Sequence, residues 1–492
     1  MRIAYIILTC KKYLTTRVEY QKRSFLTHVL PNDIYFLSGQ PDEKNKIYGW
    51  NTPDEYEKLP LKNIYFFKNM KLDYDWFVFM DDDTFVFPNR LEEFLKKYNA
   101  TQSIWIGCIL DHIQHSHCSY MSGGAGSVMS RSLYNLVYEY VQTQPMEKVH
   151  CHWCDDVCKG LWIKDIQHIH DILFIHNSHF HCNMHTSEEC ELLQTITYHH
   201  LLTSEDYNFY NNILNKETTA FVLLSDEKYK DRVIRTIEDI RTVGMWQGDI
   251  VLICVQENLQ ARVFMDSQFI EKHNITTVSF PIINKVKLLN DIGNGFSNSD
   301  GREVCKIMQW EKIHVFDNFF TRWKRIVYLD AGLRILDNVN SLLELNYRDV
   351  ILAPNDAGDG PDKNSNVFEC QLSKDNPDVF QQLITMYGQE ILKKHYFLNC
   401  IWIYDTNISK KTNIKKELIK TMNVYPIFKT NEMGAMNIVL HFQHKLWCPF
   451  PWKTSQEKYL FDWCELNHKG THWKQYCAIK YPVTIGFGEN PY

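Results

Sequence analysis

The segment Asp75-Trp76-Phe77-Val78-Phe79-Met80-Asp81-Asp82-Asp83-Thr84 constrains this chain more than any other. A short run rich in Phe and Val ends in three consecutive carboxylates, after which Phe85-Val86-Phe87 resume the apolar pattern. Such a run predicts a buried strand that delivers clustered acids to its own C-terminal end. Three adjacent like charges repel one another, so a buried triplet calls for a cation. Hard oxygen ligands suit Mn²⁺ or Mg²⁺, and a strand-end cluster of this kind suits a divalent ion bridging a diphosphate. The competing reading is an exposed turn, where Asp is common as a cap.

The 492 residues are enough for two or three domains with full cores. Hydrophobic residues make up 45% and aromatics 14%, which excludes a disordered chain. The formal net charge of −6 argues against a nucleic-acid partner, which would favour a basic face. No stretch reaches the ~20 apolar residues of a membrane span. The opening MRIAYIILTC lacks the form of a signal peptide and reads as a buried first strand, so a cytoplasmic location is expected. In that setting the 15 cysteines are free thiols rather than disulfides, and the sequons at Asn99, Asn274 and Asn407 are chance. Heavy use of Asn, Ile, Lys and Tyr suggests a low-GC genome, viral or microbial.

Two strand–helix–strand openings, at Ile3–Thr9 and Ala220–Ser225, predict two tandem α/β domains with parallel, Rossmann-like sheets. The polar stretch Asn211–Thr219 reads as a linker, giving domains 1–214 and 215–492. A second apolar strand, Ile326–Asp330, also ends in a carboxylate, and parallel α/β sheets gather ligands at such ends.

Three motifs in order, DWFVFMDDDTFV (Asp75–Val86), YMSGGAGSVMS (Tyr120–Ser130) and Asp155-Asp156-Val157-Cys158-Lys159-Gly160, resemble the fringe and core β1,3-galactosyltransferase family, glycosyltransferase family thirty-one. The likeness covers about the first 200 residues. It implies an A-type nucleotide-sugar-binding fold and an inverting, metal-dependent transfer from a nucleotide sugar, a UDP-sugar by expectation. The acceptor would be a glycan, glycoprotein or glycolipid. Thr9, Lys11 and Arg17 match the family's donor-binding opening, and Asp81 and Asp82 would also face the donor. Asp83, with Asp81 or Asp82, would hold the metal. Gly123 and Gly124 would let backbone approach the donor. Asp156, beside Asp155, is the expected base that deprotonates the acceptor hydroxyl, although Gly160 follows one residue later than the family pattern. Family members carry a histidine after the base that completes the metal shell. Within the tract His168, His170, His176, His179, His181 and His185, Ser178-His179 fits best and His176 is the rival. A structural zinc site on Cys118, His150, Cys151, His152, Cys154 and Cys158 is a separate reading.

The segment Lys312–Leu336 resembles, more loosely, the glycogenin-like family, glycosyltransferase family eight, whose A-type enzymes retain anomeric configuration. That likeness implies donor contacts at Lys312, Asp330 and Asp356, a metal at Asp330, and a catalytic role for Glu432. Phe397-Leu398-Asn399 and Asn437 fall where that family makes further contacts. The family's second strand-end acid is replaced by Gly332, and His441 is the candidate late metal ligand. Trp447, Trp452, Trp463 and Trp473 are either sugar-stacking platforms or core. The whole chain then reads as a bifunctional glycosyltransferase that builds a short glycan. The alternative is one active N-terminal transferase joined to a glycan-binding or scaffolding module.

Overall fold

A computed structural model of the chain describes residues 1–112, 118–182, 192–256, 264–284, 306–356, 366–463 and 475–480. The chain divides into two compact units, Met1–Leu214 and Asn215–Tyr492. Each is α/β and is built on a seven-stranded, mainly parallel sheet.

In the first unit the strands run in the order Leu173–His176, Ile104–Gly107, Ser127–Ser130, Trp76–Asp81, Ile3–Leu8, Ile34–Ser38, Ile47–Gly49. Ser127–Ser130 alone runs antiparallel to both its neighbours. The strand Ile3–Leu8 is buried along its whole length, and so is Trp76–Met80. Burial on both faces explains why these runs are continuous in Ile, Phe and Val and show no alternation. From Ile3–Leu8 the chain builds outward one way to Ile47–Gly49, then returns to place Trp76–Asp81 on the other side, with Leu8 opposite Asp81. The strand order therefore reverses between these two strands, and a crevice opens beyond their carboxyl ends.

The second unit repeats this plan. Its strands run Ile275–Val278, Asp249–Cys254, Thr219–Ser225, Arg325–Asp330, Ile401–Asp405, Ile351–Ala353, Trp447–Pro449. Here Leu224 lies opposite Asp330, so an acid again ends the strand beside the point of reversal. Arg325 is fully buried at the other end of this strand, donating to Thr219, Asn215 and the Leu343 carbonyl.

The stretch expected to be a linker is instead helical, within Ser204–Thr218. Polar side chains misled the reading, because Tyr207, Tyr210 and Leu214 repeat at helical spacing and are buried, with Asn211 and Asn215 buried among them.

The helix Asp155–Gln167 lies against the strand Cys118–Met121 through Gly160. A Cβ there would fall 2.7 Å from Tyr120 Cβ and 3.2 Å from the Ser119 carbonyl oxygen. Gly160→Ala should therefore push the helix off the strand and cost about 1–3 kcal/mol, as overpacking does. A lower urea midpoint for the first unit's unfolding would show this; an unchanged midpoint would mean that the contact relaxes freely.

Candidate active site in the first unit

The reversal point of the first sheet holds a cavity of roughly 440 Å³. Its walls include Thr9, Arg17, Asp81, Asp82, Asp83, Gly123, Gly124, Asp155 and Asp156, residues that four separate sequence segments supplied. The aspartate triplet therefore lines a cleft together with the expected base; Asp82 and Asp83 form a turn, but a buried one, so the reading of exposed acids is excluded.

The three aspartates do not act alike. Asp82 accepts from the Thr9 hydroxyl at 2.7 Å and from Arg17 Nη1 at 3.1 Å. The same guanidinium nitrogen lies 3.3 Å from Asp83 Oδ2 and stacks over the Tyr13 ring. Asp83 Oδ1 lies 3.2 Å from His199 Nε2. Burial raises the Asp83 carboxyl, but His199 and Arg17 outweigh it, and the net shift is downward. Burial and the charge of Asp155 hold Asp81 well above the usual carboxylate range.

Behind the triplet, Lys62 is completely buried, 2.8 Å from Asp54 Oδ1 and donating to the Thr9 carbonyl at 2.7 Å. Lys11, expected to contact the donor, instead uses its backbone N–H to hold Asp54 at 2.9 Å, and the neighbouring Lys12 lines the cavity. A 3-10 turn at Lys11–Tyr13 reorients the two adjacent lysines.

The pair Asp155-Asp156 opens the helix Asp155–Gln167, whose N-terminus favours negative charge. Asp155 is held by Lys159 Nζ and Asn63 Nδ2, each at 2.8 Å, and is thereby fixed in place. Asp156 accepts from Val157 N–H at 2.8 Å and from Gly123 N–H at 3.1 Å. Burial first, then the neighbouring Asp155 charge, raise its carboxyl above the ordinary value. Gly160 sits five residues into this helix, so the extra residue in the motif leaves both acids in the cavity.

The histidines of the site lie outside the tract that the sequence singled out. His179 begins the short strand region Phe180–His181, its N–H bonded to Asn177, and it does not line the cavity. His176 accepts from Ile109 N–H, and His181 bonds Thr195 and stacks on Tyr198. His168 and His170 are exposed, and His185 lies outside the described residues. Instead, Thr197–Tyr198 pairs antiparallel with Phe85–Val86, and Leu201 N–H bonds the Asp83 carbonyl. That pairing carries His199 and His200 to Asp83. Ligand atoms of Asp83, His199 and His200 lie within 4.8 Å of one another, the one such grouping of three among the described residues. His199 Nδ1 is buried with no hydrogen-bond partner. One carboxylate and two imidazoles make a donor set that suits a transition-series divalent ion such as Mn²⁺. The sequence signal was present but unused: Ile196-Thr197-Tyr198 followed by two histidines repeats the apolar-run-then-ligand pattern of Phe79–Asp83.

The zinc reading finds no support: the Cys151 thiol hydrogen-bonds that of Cys158, Cys154 faces Asp156, and no three of these cysteines and histidines come together as a ligand group among the described residues.

In the second unit both oxygens of Asp330 are engaged by protein groups. Lys312 Nζ lies 2.8 Å from its Oδ1, Tyr328 donates to the same oxygen at 3.0 Å, and Lys480 pairs with Oδ2. Lys312 also lies 2.9 Å from Glu432 Oε1, to which Asn399 donates at 2.7 Å. Asp356 stands in a different group, accepting from Asn366 and Tyr396. Asn437 holds the backbone of Phe397, and His441 packs on Phe442 and Trp447, with burial lowering its imidazole to about 4. Trp447 and Trp452 pack against protein rings; the Trp463 side chain and Trp473 lie outside the described residues.

Comparison with known proteins separates the two units. Residues 2–226 match the Fringe-like family model. That match spans nearly all of the first unit. Over 136 residues the chain is 34% identical to glycoprotein-N-acetylgalactosamine 3-beta-galactosyltransferase 1 of Xenopus laevis, which is 27% of this chain and 36% of that protein. The chain thus spans 36% of the length of the curated relative it matches. Among solved structures, similar chains include LgtC galactosyltransferase with donor and acceptor sugar analogs (11% identity, TM-score 0.33, 53% of this chain and 86% of that one). The bifunctional WbbM glycosyltransferase is similar at 10% identity and TM-score 0.34, over 98% of this chain and 94% of that one. No helix among the described residues is long and apolar enough to cross a membrane.

In the first unit a Cβ on Gly124 would fall 2.1 Å from His199 Cε1. Gly124→Ala should displace that imidazole and weaken Mn²⁺ binding by about tenfold or more, equivalent to ~1.4 kcal/mol. Titration followed by electron paramagnetic resonance reads this directly; unchanged affinity would remove His199 from the site.

Proposed function

We propose that the first unit is a nucleotide-sugar-dependent glycosyltransferase that moves a hexose or N-acetylhexosamine, with inversion, from a UDP-sugar to a glycan, glycoprotein or glycolipid acceptor. One observation carries the reading. A single cleft at the sheet's reversal point holds a buried base candidate at a helix N-terminus, an aspartate triplet, and an imidazole pair beside Asp83. The Xenopus relative is named for β-linked galactose transfer, so galactose is the first sugar to test.

Asp156 takes the proton of the acceptor hydroxyl as that oxygen attacks the anomeric carbon. The Gly123 and Val157 N–H groups fix its carboxylate, and Asp155, held by Lys159 and Asn63, keeps its affinity for the proton high. Arg17 binds and orients the donor from the side of Asp82 and Asp83. Gly123 leaves room for the donor against the backbone, and Gly124 leaves room for the His199 ring beside the site. Asp83, His199 and His200 would hold a divalent ion, Mn²⁺ or Mg²⁺, with Asp81 beside it; such an ion supplies positive charge to the departing diphosphate. The second unit has the same strand plan and would add a second sugar with retention, Glu432 serving the reacting centre. The alternative is a single active first unit joined to a non-catalytic glycan-binding or scaffolding module.

The purified chain, incubated with Mn²⁺ and each common nucleotide sugar, should release nucleoside diphosphate from one UDP-sugar and lose that activity in chelator. Asp156→Asn should lower kcat by on the order of 10²–10⁴-fold, with donor affinity kept. Turnover that survives this change would remove the base assignment.

The acid limb of the pH–rate profile follows from the raised Asp156 carboxyl. The base works deprotonated, so activity falls as pH drops through its pKa. That midpoint should lie above the ordinary aspartate value of about 4. A midpoint at or below that value would contradict the burial of Asp156.

A further inference from the structure

The acidic strand end of the second unit is already neutralised by the protein itself. Two ammonium groups, Lys312 and Lys480, and two carboxylates, Asp330 and Glu432, form one connected cluster. Two ammonium groups carry the same charge as one divalent ion, and two carboxylates balance either. Both oxygens of Asp330 have partners, Oδ1 with Lys312 and Tyr328, Oδ2 with Lys480. A divalent ion would need those lone pairs and would sit against two cations. The residue two positions beyond Asp330 is Gly332, which offers no second carboxylate. These residues do not fit a metal.

They do fit an anion that brings hydroxyl groups. Lys312 is almost enclosed, with 5% of its side chain exposed, whereas Lys480 keeps 22%. Lys312 thus braces the carboxylates from beneath, and Lys480 is the ammonium that meets a ligand. Glu432 adds an independent sign of a missing partner. Its side chain is 1% exposed, Oε1 takes Lys312 and Asn399, and Oε2 is buried with no hydrogen-bond partner. An orphaned carboxylate oxygen is costly unless a donor reaches it, and a sugar hydroxyl is such a donor.

We infer that the second unit binds a nucleoside diphosphate sugar without a divalent cation, Lys480 meeting the phosphates where a metal would otherwise stand and Glu432 Oε2 accepting from the sugar. This rests on reading the second unit as a nucleotide-sugar-binding fold, and it divides the chain into a metal-bearing site and a metal-free one.

The test uses the full chain carrying Asp83→Ala, which disables the first unit's cation site. Calorimetric titration with UDP, GDP, CDP and ADP, and with their glucose or galactose sugars where these exist, is run in chelator and again in Mn²⁺. One ligand should bind per chain in chelator, with affinity unchanged by Mn²⁺. Lys480→Met should weaken binding about tenfold or more, whereas Lys480→Arg should restore it, and thermal unfolding shows that both variants are folded. In the otherwise unchanged chain, Mn²⁺ titration should find one site, unaffected by Asp330→Asn. A second Mn²⁺ site lost on Asp330→Asn would overturn the inference. So would the absence of any ligand in chelator, or binding indifferent to Lys480→Met. Nucleoside diphosphate release by the first unit is measured on Lys480→Met in parallel. Its loss in every chain, with chelator-resistant binding intact, would refute the proposed function and leave the inference standing.

Discussion

Mutual repulsion among clustered, buried and half-buried carboxylates governs the first unit. Six of them, Asp54, Asp81, Asp82, Asp83, Asp155 and Asp156, line one cleft. A protein interior does not tolerate that density of negative charge without compensation. Each acid but two has its own cation. Lys62 serves Asp54, Lys159 serves Asp155, and Arg17 bridges Asp82 and Asp83. The two without a cationic partner, Asp81 and Asp156, are both raised by burial and by the charge of Asp155; Asp82 is raised too, by a burial that Thr9 and Arg17 only partly offset. The protein has spent its cations on scaffolding acids, leaving Asp81 and Asp156 to interact with whatever enters the cleft.

Much of this was legible in the sequence because its signals are contiguous. Asp81–Asp83 end an apolar run, Asp155-Asp156 open a helix, and Gly123-Gly124 mark a close approach. In each case the chemistry and the local structure lie within a few residues. His199 and His200 were not legible in that way. They reach Asp83 through antiparallel pairing of Thr197–Tyr198 with Phe85–Val86, a register set more than a hundred residues apart and by two-residue strands too short to carry a period. The richer histidine tract drew attention because of composition, and composition does not determine register. Lys480 was hidden for the same reason: it arrives beside Asp330 through the pairing of Tyr476–Lys480 with Leu333–Ile335. The helix Ser204–Thr218 was missed because its polar residues outnumber the buried ones that set its face.

The repeated plan makes the contrast between the units informative. In both, the first strand of the unit lies in register beside the acid-ending strand, Leu8 opposite Asp81 and Leu224 opposite Asp330. Backbone topology therefore delivers a carboxylate to the same kind of crevice twice. What differs is the source of compensating charge. The first unit surrounds Asp83 with one guanidinium and two imidazoles, groups that share a carboxylate without enclosing it and leave ligand atoms within reach of one another.

The second unit closes its carboxylate between two ammonium groups and a phenol: Tyr328 from the same strand, Lys312 from the segment before it, and Lys480 from a distant part of the chain. Burial alone would raise the Asp330 carboxyl, yet Lys312 and Lys480 outweigh it and hold the group ionised below its ordinary value. Glu432, farther from Lys480, remains raised by burial despite its contact with Lys312. Charge in this cluster is graded, held more firmly at Asp330 than at Glu432. An ion pair of this depth is held by geometry and loses far more when one partner is removed than it gained on forming. Fold similarity between the units therefore does not carry metal dependence from one to the other; the identity of the cation is decided by side chains that the shared topology leaves free to vary.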